Sequence, residues 1–180
     1  MTGRKRLFIC SPKGFSMLEV MIVVAIIGIL ASVAVANLNT MIPRSQTKSV
    51  VQQLRSDINK AKMEAVRNNR AALILFSTIE DGHRGSFTAC LIDDVAVDEC
   101  PENASDIIAS LDLDGSEYRH VAITRAAFTE GALFRFNARG YPVKADGFPF
   151  SSGRADIDCI SDDHYSFSII LSPSGRIRIN

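Results

Sequence analysis

From Val20 to Pro43 the chain carries 24 consecutive residues without a charged side chain. As a helix rising ~1.5 Å per residue, this run is about 36 Å long, enough to cross a hydrocarbon core of ~30 Å. It splits the chain into two physical environments. Hydrophobic residues make up 47% of the 180 residues, and the block from Phe15 to Ile42 holds much of the excess. The remainder reads as one small soluble domain. Arg4, Lys5, Arg6 and Lys13 precede the run. A basic flank of this kind stays cytoplasmic, which sends the C-terminal part outward.

A cleaved secretory signal fits poorly, because its apolar region is ~7–15 residues long and ends at a small-residue cleavage site. Here Ala31-Ser-Val-Ala34 would mimic such a site, but it lies deep within the run. A plain single-span anchor explains every residue except Glu19. A carboxylate one turn inside a membrane segment costs several kcal/mol unless something pairs with it, and it marks a functional site by default.

The string around it is Lys13-Gly14-Phe15-Ser16-Met17-Leu18-Glu19, followed at once by Val20-Met-Ile-Val-Val-Ala-Ile-Ile-Gly. It resembles the prepilin processing motif of type IV pilins and type II secretion pseudopilins. The resemblance implies that a prepilin peptidase cuts between Gly14 and Phe15, that Phe15 is then N-methylated, and that Glu19 is the fifth mature residue. It also implies that other pilins or pseudopilins are partners in a filament. The physics of Glu19 agrees with that role. Inside a bundle of apolar helices a buried carboxylate needs a cation, and the amino group of a neighbouring subunit's Phe15 is the available one. A single buried polar pair of this sort fixes axial register, as in coiled coils.

Beyond the apolar run the pattern changes. From Ser45 to Asn69, Val50, Val51, Leu54, Ile58, Ala61, Ala65 and Val66 recur at spacings of three and four, while Lys48, Arg55, Lys60, Lys62 and Arg67 fill much of the opposite surface. That predicts a continuing amphipathic helix, kinked or divided at Pro43 and stopped at Asn68-Asn69. After Arg70, short strands are expected at Ala71–Ile79, Ser86–Ile92, Tyr118–Thr124, Ala132–Asn137, Phe167–Leu171 and Arg176–Ile179. The turns are Asp81-Gly-His-Arg-Gly85 and Ser172-Pro-Ser-Gly175. Asp93 to Ser116 reads as an acidic, irregular, exposed insertion.

The formal net charge is zero, so no global argument for a nucleic-acid or acidic partner exists. Locally, Arg44–Arg70 is net +5, Glu80–Glu117 is net −10 and Arg119–Arg154 is net +4. These are expected to be solvated faces of one domain. Of the four cysteines, Cys10, Cys90, Cys100 and Cys159, none forms a Cys-x-x-Cys pair. In an exported head, Cys90 and Cys100 could close a short loop over Asp93, Asp94, Asp98 and Glu99. Three pairings among Cys90, Cys100 and Cys159 are open, and the short loop is the preferred one.

The head resembles the GspH/FimT family of minor pseudopilins. The carriers are Leu133-Phe-Arg-Phe-Asn137 running into Arg139-Gly140, and the closing Ile169-Ile-Leu-Ser-Pro-Ser-Gly-Arg-Ile-Arg-Ile-Asn180. Strand alternation puts Arg176 and Arg178 on one face and Ile177 and Ile179 on the other. FimT-like members carry Gly-Arg-x-Arg here and are implicated in DNA uptake. The resemblance therefore makes Gly175, Arg176 and Arg178 candidates for contact with DNA phosphates. The alternative is an ordinary half-buried strand with a solvated basic edge.

Asp112-Leu-Asp114-Gly115 lacks the acidic twelfth position of an EF-hand and reads as a surface turn. Asp162-Asp163-His164 reads as a solvated loop. No metal site, no cofactor and no enzymatic activity are expected. The expected fold is α+β, a long transmembrane and then amphipathic N-terminal helix packed on a small antiparallel β-rich head. Its parts are a removed leader (1–14), a membrane-spanning helix (15–43), the periplasmic half of that helix (44–70) and the head (71–180). The expected place is the bacterial inner membrane, single-pass, in contact with its lipid, with the head periplasmic. The expected work is that of a minor pilin or pseudopilin in a type II secretion or type IV pilus filament; the alternative is a FimT-like DNA-binding minor pilin.

Overall fold

The computed structural model describes residues 14–80, 82–101, 103–162 and 164–180. The leader up to Lys13, with Cys10, Asp81 of the first expected turn and Asp163 of the expected Asp162–His164 loop lie outside them. The chain divides into two compact units, Met1–Asn39 and Thr40–Asn180. One α-helix, α1, runs from Met17 to Asn68 and contains Pro43 within it. Its first turn is capped by Ser16. The Glu19 N–H donates to Ser16 Oγ at 3.2 Å and the Val20 N–H to the Ser16 carbonyl at 3.3 Å. Ser16 is thus the N-cap, and Glu19 stands at N3 of the helix. At the other end Asn69 takes φ +50°. The Arg70 N–H returns to the Ala65 carbonyl at 3.1 Å and that of Asn69 to Val66 at 3.4 Å. This is a Schellman closure, using a residue type that tolerates the left-handed region.

In the first unit the helix is apolar all round. Phe15, Met17, Leu18, Val20, Met21, Ile22, Val23, Val24, Ile26, Ile27, Ile29 and Leu30 are all exposed. The expected span Val20–Pro43 includes residues 33–40, whose side chains lie outside those described. No helix among the described residues is long and apolar enough to cross a membrane.

In the second unit Val50, Val51, Leu54, Ile58, Ala61 and Ala65 of α1 are buried in one core. Val66, expected among them, is half exposed, because one more 100° step carries it to the rim of the apolar stripe. The rest of the core comes from two antiparallel sheets. The first is ordered β3 (Ile107–Asp112), β2 (Ser86–Ile92), β1 (Ala71–Ser77), β5 (Leu133–Phe136) and β6 (Pro142–Val143). The second is ordered β4 (Val121–Ala127), β7 (Gly153–Cys159), β8 (Ser166–Leu171) and β9 (Ile177–Ile179). Phe76, Phe87, Phe128, Phe134, Phe136 and Phe150 form an aromatic cluster inside.

The acidic stretch Asp93–Ser116 differs from its expected form in two ways. Its second half forms β3, which pairs with β2 from Ser86↔Asp112 to Cys90↔Ile107. Its first half folds back over the outer face of the first sheet. Ala71, Leu73, Cys90 and Ile92 form a second buried cluster there, packed by Leu75, Val95, Cys100 and Leu133. This explains why β1 is apolar at almost every position: both of its faces are covered. β7 was not expected from the sequence. It places Gly153, Ala155, Ile157 and Cys159 inward and Arg154, Asp156 and Asp158 toward solvent. β4 begins later than expected, after a 3-10 turn at Ser116–Tyr118.

Candidate functional site

Gly14 is exposed and lies outside any helix or strand. Phe15 follows at 81% exposure. Glu19 lies one turn on, so its carboxylate shares a side of the helix with Phe15. Phe15, Glu19, Val20, Val23 and Val24 line a shallow apolar depression of about 290 Å³. Glu19 makes no ion pair among the described residues. An exposed carboxylate therefore stands at the head of an apolar cylinder, with its backbone N–H already satisfied by Ser16. Reading the sequence for membrane features passes over the Ser-x-x-Glu capping signal, which was available at these positions.

The second candidate group lies at the C-terminus. Arg176 and Arg178 are exposed while Ile177 is buried and Ile179 half-buried. The turn ahead of them is closed by Gly175 N–H to the Ser172 carbonyl at 2.9 Å and Ser172 N–H to the Arg176 carbonyl at 3.0 Å. Gly175 is at φ +74°, and a Cβ there would meet Lys62 Nζ at 3.2 Å and the Gly140 carbonyl and Pro142 Cδ at 3.3 Å. At Gly140, φ +77°, a Cβ would likewise meet Lys62 Cε at 3.1 Å and Val66 Cγ2 at 3.2 Å. Lys62 Nζ donates to the Gly175 carbonyl at 3.3 Å and sits 5.9 Å above the Phe136 ring. The Arg139-Gly140 and Gly175-Arg176 turns of the head thus meet at one helix lysine, which the helical pattern alone assigns to a solvated face.

Arg135 is the main residue that sequence reasoning missed. Its side chain is completely buried, donating to Glu130 at 2.5 Å, to Asp98 and to the Val97 carbonyl. It clamps the covering loop onto β5. The same loop is closed by a Cys90–Cys100 disulfide. Cys159 is a free thiol, 1% exposed on the inward face of β7.

The remaining singled-out motifs have structural partners. Asp114 Oδ2 lies 2.6 Å from His83 Nδ1, and Asp114 Oδ1 accepts the Arg84 N–H at 2.7 Å. The Arg84 amide, then His83, holds the Asp114 carboxyl below its usual range, and the hydrogen bond that His83 donates to Asp114 raises His83. The pairing is complete between the two values. It is lost as pH falls through that of Asp114 or rises through that of His83. Asp162 accepts from Arg44 at 2.8 Å, which holds its carboxyl down. Among the described residues no group of three or more potential ligands is placed to hold a metal ion.

Two family patterns match this chain. Residues 11–35 match the prokaryotic N-terminal methylation motif. Residues 50–175 match the type II transport protein GspH. The chain belongs to the GspH family. The match covers the helix from Val50, the whole first sheet and β4, β7 and β8 of the second, and it stops at Gly175, just before β9 with Arg176 and Arg178. No curated protein matches the chain. Two crystal forms of the type IV minor pilin FimU from Pseudomonas aeruginosa (strain PAO1) are similar in structure. One has a TM-score of 0.49 at 15% identity, covering 76% of this chain and 90% of that one. The other has a TM-score of 0.47 at 14% identity, covering 74% and 91%. On the two family matches the protein is a pilin-like subunit of the GspH family, and its fold is α+β. Its methylation motif makes it a substrate for a prepilin peptidase and a partner of other pilins.

Proposed function

We propose that this pseudopilin is an inner-membrane filament subunit whose leader, residues 1–14, is removed and whose residues 15–43 cross the membrane. Residues 44–180 then stand in the periplasm. In the assembled filament Glu19 pairs with the methylated amino group of Phe15 on the neighbouring subunit. The observation that carries this reading is the apolar helix surface from Phe15 to Leu30, exposed on every side and bearing one carboxylate, Glu19, a turn from its start. A surface of that kind is stable only in lipid or among other helices. Mass spectrometry of the mature chain should find N-methyl-Phe15 as its first residue. Gly14→Leu should leave only the intact precursor in the membrane. A chain still starting at Met1, or one cut near Ala34, would sink the proposal.

A second reading is supported by the exposure of Arg176 and Arg178 beside a buried Ile177: the head contacts DNA phosphates, as a FimT-like minor pilin would. On this reading the chain binds unrelated duplexes with similar weak affinity, ~10⁻⁴–10⁻⁶ M near physiological salt. Arg176→Gln with Arg178→Gln should weaken binding to all of them and lower the salt slope by about two. Both side chains are exposed, so stability should change by less than about 0.5 kcal/mol. Binding that survives the double change removes the DNA role and leaves the filament role intact.

A further inference from the structure

The Gly140 and Gly175 turns are in contact, so the residues flanking them belong to one surface. Arg139 and Tyr141 flank the first turn, and Arg176, with Arg178 beyond it, follows the second. All four are exposed, Tyr141 at 57%. Among the described residues none of the three arginines is in an ion pair. The two segments that supply the group, 131–145 and 164–180, contain no acidic residue. Lys62, the nearest helix cation, is occupied with the Gly175 carbonyl and the Phe136 ring.

The backbone under these side chains is held on both sides. Asn137 Oδ1 accepts the N–H groups of Arg139 and Tyr141, each at 3.0 Å. The Asn137 N–H donates to the Tyr141 carbonyl at 2.9 Å, and the Arg176 N–H to Ser172 Oγ at 3.1 Å. An exposed aromatic ring on a held backbone, among arginines without ion-pair partners, matches the chemistry of a nucleobase joined to phosphates. Arginines track the backbone and the ring stacks on a base. In a duplex the base faces are already stacked and hidden, so only a single strand can use the ring.

Resting on the DNA reading of Arg176 and Arg178, we infer that Arg139 and Tyr141 complete the same surface and that its preferred ligand is single-stranded nucleic acid. Tyr141 stacks on a base, and Arg139, Arg176 and Arg178 hold the flanking phosphates.

The test uses the full-length mature chain in non-ionic detergent. Its probes are a labelled oligothymidylate of about 30 nucleotides, a duplex of the same length, and inorganic polyphosphate, which carries the charge without bases. The oligothymidylate should bind more tightly than the duplex. Tyr141→Ala should weaken it roughly tenfold while leaving duplex and polyphosphate binding unchanged. Tyr141→Phe, which keeps the ring, should bind like the parent. Arg139→Gln should weaken all three probes and lower the salt slope by about one. Unchanged duplex binding by the alanine variant also shows that it is folded. Equal affinity for the strand and the duplex, or indifference of the strand to Tyr141→Ala, overturns this inference while the DNA reading stands. Failure of both nucleic-acid probes to bind at low salt overturns both.

Discussion

Glu19→Ala should reach the membrane as well as the parent chain does and should fail to join the filament. Removing a charge from an apolar helix lowers the cost of insertion, on the order of 3 kcal/mol at a helix centre and less near its end. What is lost is the partner for a neighbouring Phe15 amino group. Glu19 also sits at N3 of a helix capped by Ser16, so an effect on the helix end itself has to be separated from pairing between subunits. Glu19→Gln does this. Glutamine serves at N3 of a capping box as glutamate does, but it carries no charge. If Glu19 acts between subunits through its charge, the glutamine variant should be absent from complexes purified through another filament subunit, as the alanine variant should be. Recovery of the glutamine variant at parental levels would reduce Glu19 to a cap and remove the pairing proposal.

The second large effect lies in the head, where breaking one ion pair from either side should give unequal results. Arg135 has no exposed side-chain surface, while Glu130 retains 27% and Asp98 69%. Glu130 also accepts the Ala145 N–H through both oxygens, at 2.9 and 3.1 Å. Glu130→Ala therefore leaves a buried cation with one largely solvated carboxylate and the Val97 carbonyl as partners, besides an unpaired amide. Loss of one side of a buried pair costs about 3–5 kcal/mol, and the lower end is expected because Asp98 remains. Arg135→Leu instead removes the buried charge and leaves two carboxylates that can reach water, so it should cost about 1–2 kcal/mol, mainly through a loosened loop. Denaturant unfolding of the two variants measures both. Equal costs, or a more damaging Arg135→Leu, would mean that Arg135 acts through packing and not as a compensated charge.

What could be read directly from the sequence is what depends on residues close together in the chain. The offsets among Gly14, Phe15 and Glu19 fall within two helical turns, and the 24-residue uncharged run needs no partner to be recognised. The face formed by Val50, Leu54, Ile58, Ala61 and Ala65 follows from helical periodicity, and Asn68-Asn69 from the backbone tolerance of asparagine. The outward Arg178 and inward Ile177 of β9, with Arg176 exposed just before it, follow from strand alternation. The acidic segment was misjudged as wholly irregular because β3, at a sheet edge, buries only Leu111 fully, and its pairing to β2 is a property of two distant segments. β7 was overlooked because three of its inward residues are small or weakly strand-forming and its outward ones are charged, so the alternation is plain only once β4 and β8 flank it.

Tertiary structure alone decided that the loop after Cys90 covers the second face of β1, and that Arg135 lies beneath that cover. It also decided that the Gly140 and Gly175 turns meet on Lys62. Each of these depends on burial or contact between segments tens of residues apart. Local propensity carries no information about such contacts, because the free energy that selects them arises only when the sheets and helix close on one another.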